Sequence, residues 1–187
     1  GIDCSMAAVL GANHTDLINA CKEASSVGIV EIANYNSPSQ QVIGGETAAV
    51  KRASEILLNL GAKRVVPLNV SGAFHTSLMK KAGDSLREKF KEIEFKEMKI
   101  PVIFNATADT LKVGEAIPQL LEKQVQSSVF FEDSIKKMEC MGIDTIVEIG
   151  PGKVLSGFVR KTSKNIKCFN IEDIESLNKT MDALKGE

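Results

Sequence analysis

Two residues of this chain carry an imidazole, and one of them, His75, stands in a setting where it could do chemistry. The stretch "SGAFHTSLMKKAG" (71–83) places it directly after Gly72-Ala73-Phe74. Before it, "AKRVVPLNV" reads as a strand; after it, Leu78, Ala82, Leu86 and Phe90 recur every four residues, the spacing of a helix face. His75 is therefore expected on a strand-to-helix corner, held by rigid elements yet reachable, as catalytic groups often are. A buried or capping histidine would fit the same position. An imidazole titrates near neutrality, so it can take a proton in one step and return it in the next.

Other reactive groups are sparse. His14, in a loop ahead of a helical stretch, reads as a surface or capping residue. Cys4, Cys21, Cys140 and Cys168 are scattered and form no C-x-x-C pair, so no structural zinc site or other metal site is expected. Reduced, mostly buried thiols in a cytoplasmic protein are the simpler reading. A net charge of −1 lacks the cationic excess that general nucleic-acid binding needs. No apolar run reaches the length of a membrane span, and no signal-peptide pattern opens the chain. Its 187 residues suffice for one core or for two small units sharing an interface.

The elements that must position these groups fall into two patterns. "MAAVL" (6–10) is a short strand, and "NHTDLINACKEAS" a capped helix with Leu17, Ile18, Cys21 and Ala24 on one face. "GIVEIANYN" and "QQVIGG" read as strands joined by the turn "SPS", the pattern of a hairpin. "ETAAVKRASEILLNLG" is a helix stopped by Gly61, and "AKRVVPL" a strand whose Pro67 marks its end or an edge. Residues 5–68 thus run β-α-β-β-α-β, the ferredoxin-like order. Beyond the helix from about Thr76, "IPVIFNAT" (100–107) reads as a buried strand, with helices at roughly 113–125 and 131–141. "DTIVEIG" (144–150) and "IKCFNI" (166–171) read as strands, each followed by a helix, the first with Pro151 in its first turn. Alternating strands and helices point to a parallel α/β sheet.

Several motifs agree in order and spacing: "NYNSPSQQVIGG" (34–45), "GAFHTSLM" (72–79), "KQVQSSVFF" (123–131) and "EIGPGKVLSG" (148–157). In them the chain resembles the malonyl-CoA:acyl-carrier-protein transacylases over nearly its whole length, and the acyltransferase domains of polyketide synthases look similar. That resemblance implies a ferredoxin-like small subdomain at 1–68, with 69–187 forming the C-terminal part of a large α/β-hydrolase-like acyltransferase subdomain. It implies malonyl transfer from coenzyme A to the phosphopantetheine thiol of acyl carrier protein through an acyl-serine, in fatty-acid biosynthesis, with no cofactor. His75 matches the family's base, and Gln124 matches the residue whose backbone carbonyl orients it. Phe74 resembles the position associated with malonyl over methylmalonyl selection, where an ordinary core phenylalanine is the other reading. Asn36 is expected to line the cleft that the small subdomain roofs; its plain alternative is turn chemistry.

The family's nucleophile is a serine in a G-x-S-x-G elbow, and an arginine holds the malonyl carboxylate; both precede the small subdomain. This chain contains no G-x-S-x-G, and "GIDCSMAAVLG" enters a strand almost at once with no Met before it. The expectation is a C-terminal portion holding half an active site, whose partner is the missing N-terminal part, and which is inactive alone. Two rival readings are an acyltransferase of a polyketide system and a non-enzymatic ferredoxin-like binding module. "GPGKVLSG" could be a phosphate loop but lacks the G-K-[ST] ending, so a tight strand-to-helix turn is preferred. Residues 153–167 carry five Lys/Arg and no acid: a solvated face, or a docking surface for the acidic carrier or coenzyme A phosphates.

Overall fold

The computed structural model describes residues 3–186. Their contacts divide the chain into two compact units, Gly1–Ser134 and Ile135–Glu187.

The first unit grows from β1 (Cys4–Leu10), whose residues alternate between two faces. α1 (His14–Ala24) starts at Asn13, whose side chain accepts from the Asp16 N–H at 2.8 Å. Leu17, Ala20, Cys21 and Ala24 form its buried stripe. Ile18, expected on that face, is 52% exposed, because one residue beyond Leu17 lies about 100° around the helix, off the stripe. β2 (Val30–Ser37) and β3 (Gln40–Glu46) form the expected hairpin, turning at Pro38-Ser39. At Gly45 a Cβ would stand 2.1 Å from the Ile29 carbonyl oxygen, so only glycine admits this approach of backbone to backbone. α2 (Thr47–Asn59) buries Ala49, Val50, Ala53, Ile56 and Leu57, and β4 (Arg64–Pro67) ends at its proline on the sheet edge.

These strands pair in the order β4-β1-β3-β2, all antiparallel. One face packs on α1 and α2 through Val9, Leu17, Ile43 and Leu57, each fully buried. Burial on this scale stabilises by about 1.5–3 kcal/mol per large aliphatic side chain. Met6, Ala8, Ala33 and Val42 make a smaller cluster on the opposite face.

After β4 the chain turns through a 3-10 turn, Ser77–Met79, into α3 (Lys80–Phe90). α4 (Ile117–Val125) packs beside α3, and Arg87 on α3 reaches Glu122 on α4 at 3.1 Å. The helix expected from 113 starts only at Ile117, since Gly114 turns the chain at φ +85 and Val113 is fully exposed. The strand expected at 100–107 does not form: Phe104 bridges Asp109 alone, and Ile100 (75%) and Val102 (44%) are exposed. An apolar run becomes a strand only where a neighbour supplies a continuous ladder. This one gains isolated bonds instead, from the Phe104 N–H to the Asp109 carbonyl and from the Phe130 N–H to the Asn105 carbonyl. A two-residue strand, β5 (Val129–Phe130), instead adds to the sheet, parallel to β2.

α5 (Phe131–Cys140) follows directly. In the second unit, β6 (Thr145–Ile149) and β7 (Lys167–Ile171) pair in parallel, connected through α6 (Val154–Thr162) and followed by α7 (Ile174–Lys185). α6 begins three residues after Pro151, so that proline lies in the turn before the helix rather than in its first turn. The whole is a mixed α/β fold. No helix among the described residues is long and apolar enough to cross a membrane.

Candidate active site

The corner after β4 carries His75 in the left-handed region, at φ +61. Ala108 is the other described non-glycine residue with positive φ. An L-residue held there costs about 1–2 kcal/mol, so its surroundings must over-determine it. They do. Thr76 is fully buried and its hydroxyl donates to the Ala73 carbonyl at 2.6 Å, closing the turn under the histidine. The Ser77 backbone N–H and hydroxyl both donate to the Glu31 carboxylate, at 2.7 and 2.6 Å. Gly44 pairs with Glu31 across the hairpin, and a Cβ there would press on Met6 at 3.2 Å and on the Thr76 methyl at 3.4 Å. A bare glycine in β3 thus lets the corner settle onto the sheet.

The half-buried His75 ring places Nδ1 2.9 Å from the carbonyl oxygen of Gln124. That carbonyl is free because α4 ends at Val125, and carbonyls in the last turn of a helix have no partner within it. The neighbouring Lys123 carbonyl takes the Gln126 N–H and the Ser127 hydroxyl instead. A carbonyl only accepts, so Nδ1 holds the proton and Nε2 presents its lone pair. Among the described residues His75 makes no other hydrogen bond. The ring is thus held in one orientation with a nitrogen able to accept a proton.

Phe74, beside His75 in the chain, is 39% exposed and so is not a core phenylalanine. Asn36 sits in a bulge of β2, between the paired residues Tyr35 and Ser37, half-buried. No hydrogen bond joins it to His75 or Gln124 among the described residues. The buried Gln41, unnoticed in sequence, spans the hairpin turn by donating to the Ser37 carbonyl at 2.9 Å.

The remaining reactive groups are elsewhere. All four cysteines are free, but only Cys21 is buried; Cys140 is exposed and the other two are intermediate. Burial, and then the Glu31 charge, push the Cys21 thiol up to about 12, which removes it as a nucleophile. His14 is not the α1 cap, which is Asn13; its Nε2 lies 3.5 Å from the buried Glu132 carboxylate, and its ring meets Tyr35 edge-on. No group of three potential metal ligands occurs among the described residues. At the start of α6 the Glu148 carboxylate accepts from the N–H groups of Leu155 and Ser156 and from the Ser156 hydroxyl. Burial alone would push that carboxyl up, but these bonds and Arg160 outweigh it and hold it below its ordinary value. A phosphate would find those amides already taken. The turn reading of "GPGKVLSG" stands.

Residues 4–181 match the acyl transferase domain. The chain belongs to that family. A malonyl CoA-acyl carrier protein transacylase of Bacillus subtilis is 40% identical over 184 residues, 98% of this chain and 58% of the relative. The crystal structure of the enzyme of that name from Clostridium perfringens superposes with a TM-score of 0.95 at 39% identity, covering 100% of this chain and 58% of that one. A solved complex of a type II PKS acyl-carrier protein with its malonyl-transacylase aligns at 33% identity and a TM-score of 0.93, covering 97% of this chain and 59% of that one. The chain therefore spans a little over half the length of the acyl transferase relatives it matches.

Proposed function

We propose that this chain supplies the base half of a malonyl-CoA:acyl-carrier-protein S-malonyltransferase. The observation that carries the reading is the His75 Nδ1–Gln124 carbonyl bond of 2.9 Å, which leaves Nε2 free beside an exposed Phe74. The nucleophilic serine comes from the N-terminal part of the same enzyme, since this chain has no G-x-S-x-G. His75 Nε2 removes the serine proton as the hydroxyl attacks the thioester carbonyl of malonyl-CoA, and returns it to the departing coenzyme A thiol. In the second half His75 deprotonates the phosphopantetheine thiol of acyl carrier protein. That thiol attacks the acyl-serine, and the serine oxygen recovers the proton. The Gln124 carbonyl holds the ring in one tautomer and steadies the imidazolium without adding a full charge. No cofactor enters.

Phe74 shapes the acyl site against a branching methyl, and Asn36 lines the cleft from β2. We assign residues 1–68 as a ferredoxin-like small subdomain, a reading supported by the β-α-β-β-α-β order and the strand order β4-β1-β3-β2. Residues 69–187 are then the C-terminal part of the large subdomain. Residues 69–134 return to the same sheet through β5 and the corner, so compactness alone groups them with the first unit. Lys153, Arg160, Lys161, Lys164 and Lys167 are all exposed and offer the acidic carrier a cationic surface.

The test is steady-state malonyl transfer by the intact enzyme carrying His75→Ala or Gln124→Ala. Losing the base costs several orders of magnitude in kcat, as with triad deletions elsewhere, on the order of 10³ or more. Gln124→Ala keeps the main-chain carbonyl and stays within about tenfold. Equal losses in the two variants would refute the carbonyl's role.

A further inference from the structure

Resting on the reading of His75 as the base, we infer that Glu31 is a positioning residue for it, and that β2 is the common ruler for both halves of the His75–Gln124 pair. Two neighbouring residues of β2 hold the two sides. Glu31 takes both donors of Ser77, two residues beyond His75, at 2.7 and 2.6 Å. The Ile32 carbonyl accepts the Ser128 hydroxyl at 2.6 Å, four residues beyond Gln124. Asn34 and Tyr35 then pair with Val129 and Phe130, so the chain leaving α4 is tied to the strand that ties the corner.

A carboxylate accepting a hydroxyl and a backbone N–H makes charge-assisted bonds, stronger than neutral ones. Such bonds suit a corner that must hold a non-glycine residue at positive φ. The two Glu31 oxygens meet two donors on one residue, which fixes the direction of the corner as well as its distance. Released from Glu31, the chain at 75 can relax toward negative φ, and the ring then swings away from the Gln124 carbonyl.

The chain holds two histidines, His14 and His75, which makes the imidazole 15N spectrum of the 187-residue protein simple to assign. In the parent protein His75 is expected to show the Nδ1–H tautomer demanded by a carbonyl partner. Glu31→Ala is expected to lose that signature at His75 while the His14 signals and far-UV circular dichroism hold. Glu31→Gln keeps an acceptor for the Ser77 N–H and an amide for its hydroxyl, and is expected to retain most of it. If Glu31→Ala collapses the fold, Ser77→Ala, which removes one of the two bonds, carries the test and is expected to weaken the Nδ1–H signal. An unchanged His75 tautomer in the folded Glu31→Ala protein, or in Ser77→Ala when that variant must stand in, overturns the assignment. The base role fails separately, when His75→Ala leaves transfer by the intact enzyme untouched while the tautomer result stands.

Discussion

Replacing His75 by alanine and by glycine separates the backbone strain at the corner from the hydrogen bond it serves. Both changes delete the bond to the Gln124 carbonyl, worth about 1 kcal/mol, and so cancel in the comparison. Alanine must still adopt φ +61, at about 1–2 kcal/mol, whereas glycine adopts it freely. Against this, glycine loosens the unfolded chain, which returns about 0.4–1 kcal/mol to the alanine variant. His75→Gly is therefore expected to be the more stable of the two by about 0.5–1 kcal/mol. With a urea slope of about 2 kcal/mol/M, its midpoint should lie roughly 0.3–0.5 M higher. The assay is built in: there is no Trp, and the single tyrosine, Tyr35, lies on β2 in the same compact unit, so tyrosine fluorescence reports this unit's unfolding. Equal midpoints, or a higher one for alanine, would mean that the corner is not held in the left-handed region.

Phe74→Ala in the intact enzyme should raise the ratio of kcat/KM for methylmalonyl-CoA over malonyl-CoA by about tenfold, because one methyl in an apolar site is worth about 1–3 kcal/mol; an unchanged ratio refutes the selectivity role. Cys140 should alkylate first at pH 8 and Cys21 only on unfolding, since burial and the Glu31 charge hold its thiol at about 12; peptide mapping after iodoacetamide checks the order. The chain by itself should gain no malonyl adduct from malonyl-CoA by intact mass, and an acyl group on one of its serines would refute the division of labour proposed above.

The antiparallel sheet was legible because its strands alternate and its turns carry Pro38 and Gly61 where the backbone needs them. Where partners decide, local pattern misled. Residues 100–107 have a strand's composition but no ladder, and β5 has a ladder but, at two residues, no pattern. The corner at His75 followed from the change of period on either side of it. Its left-handed conformation did not, because histidine there carries none of the signal that glycine would. Glu31 was invisible for another reason: its link to Ser77 spans 46 residues, and nothing in β2 marks one exposed-side carboxylate as engaged. The Gln124 carbonyl belongs to every residue alike, so only the family resemblance singled it out.

The long separation between β2 and β5 has a consequence for how the protein is made. Four strands and two helices, ending at Pro67, can pair while the following residues are still being synthesised, because their contacts are local by comparison. β5 must then find β2 across a loop of about 90 residues, closing at an entropic cost that grows only slowly with length. His75 and the Gln124 carbonyl therefore meet only after the four-stranded sheet has formed, on a platform already folded. Nascent chains released just short of Ser128 would carry a formed sheet and an unassembled site, which gives the chain's own synthesis a point before which the proposed chemistry cannot begin.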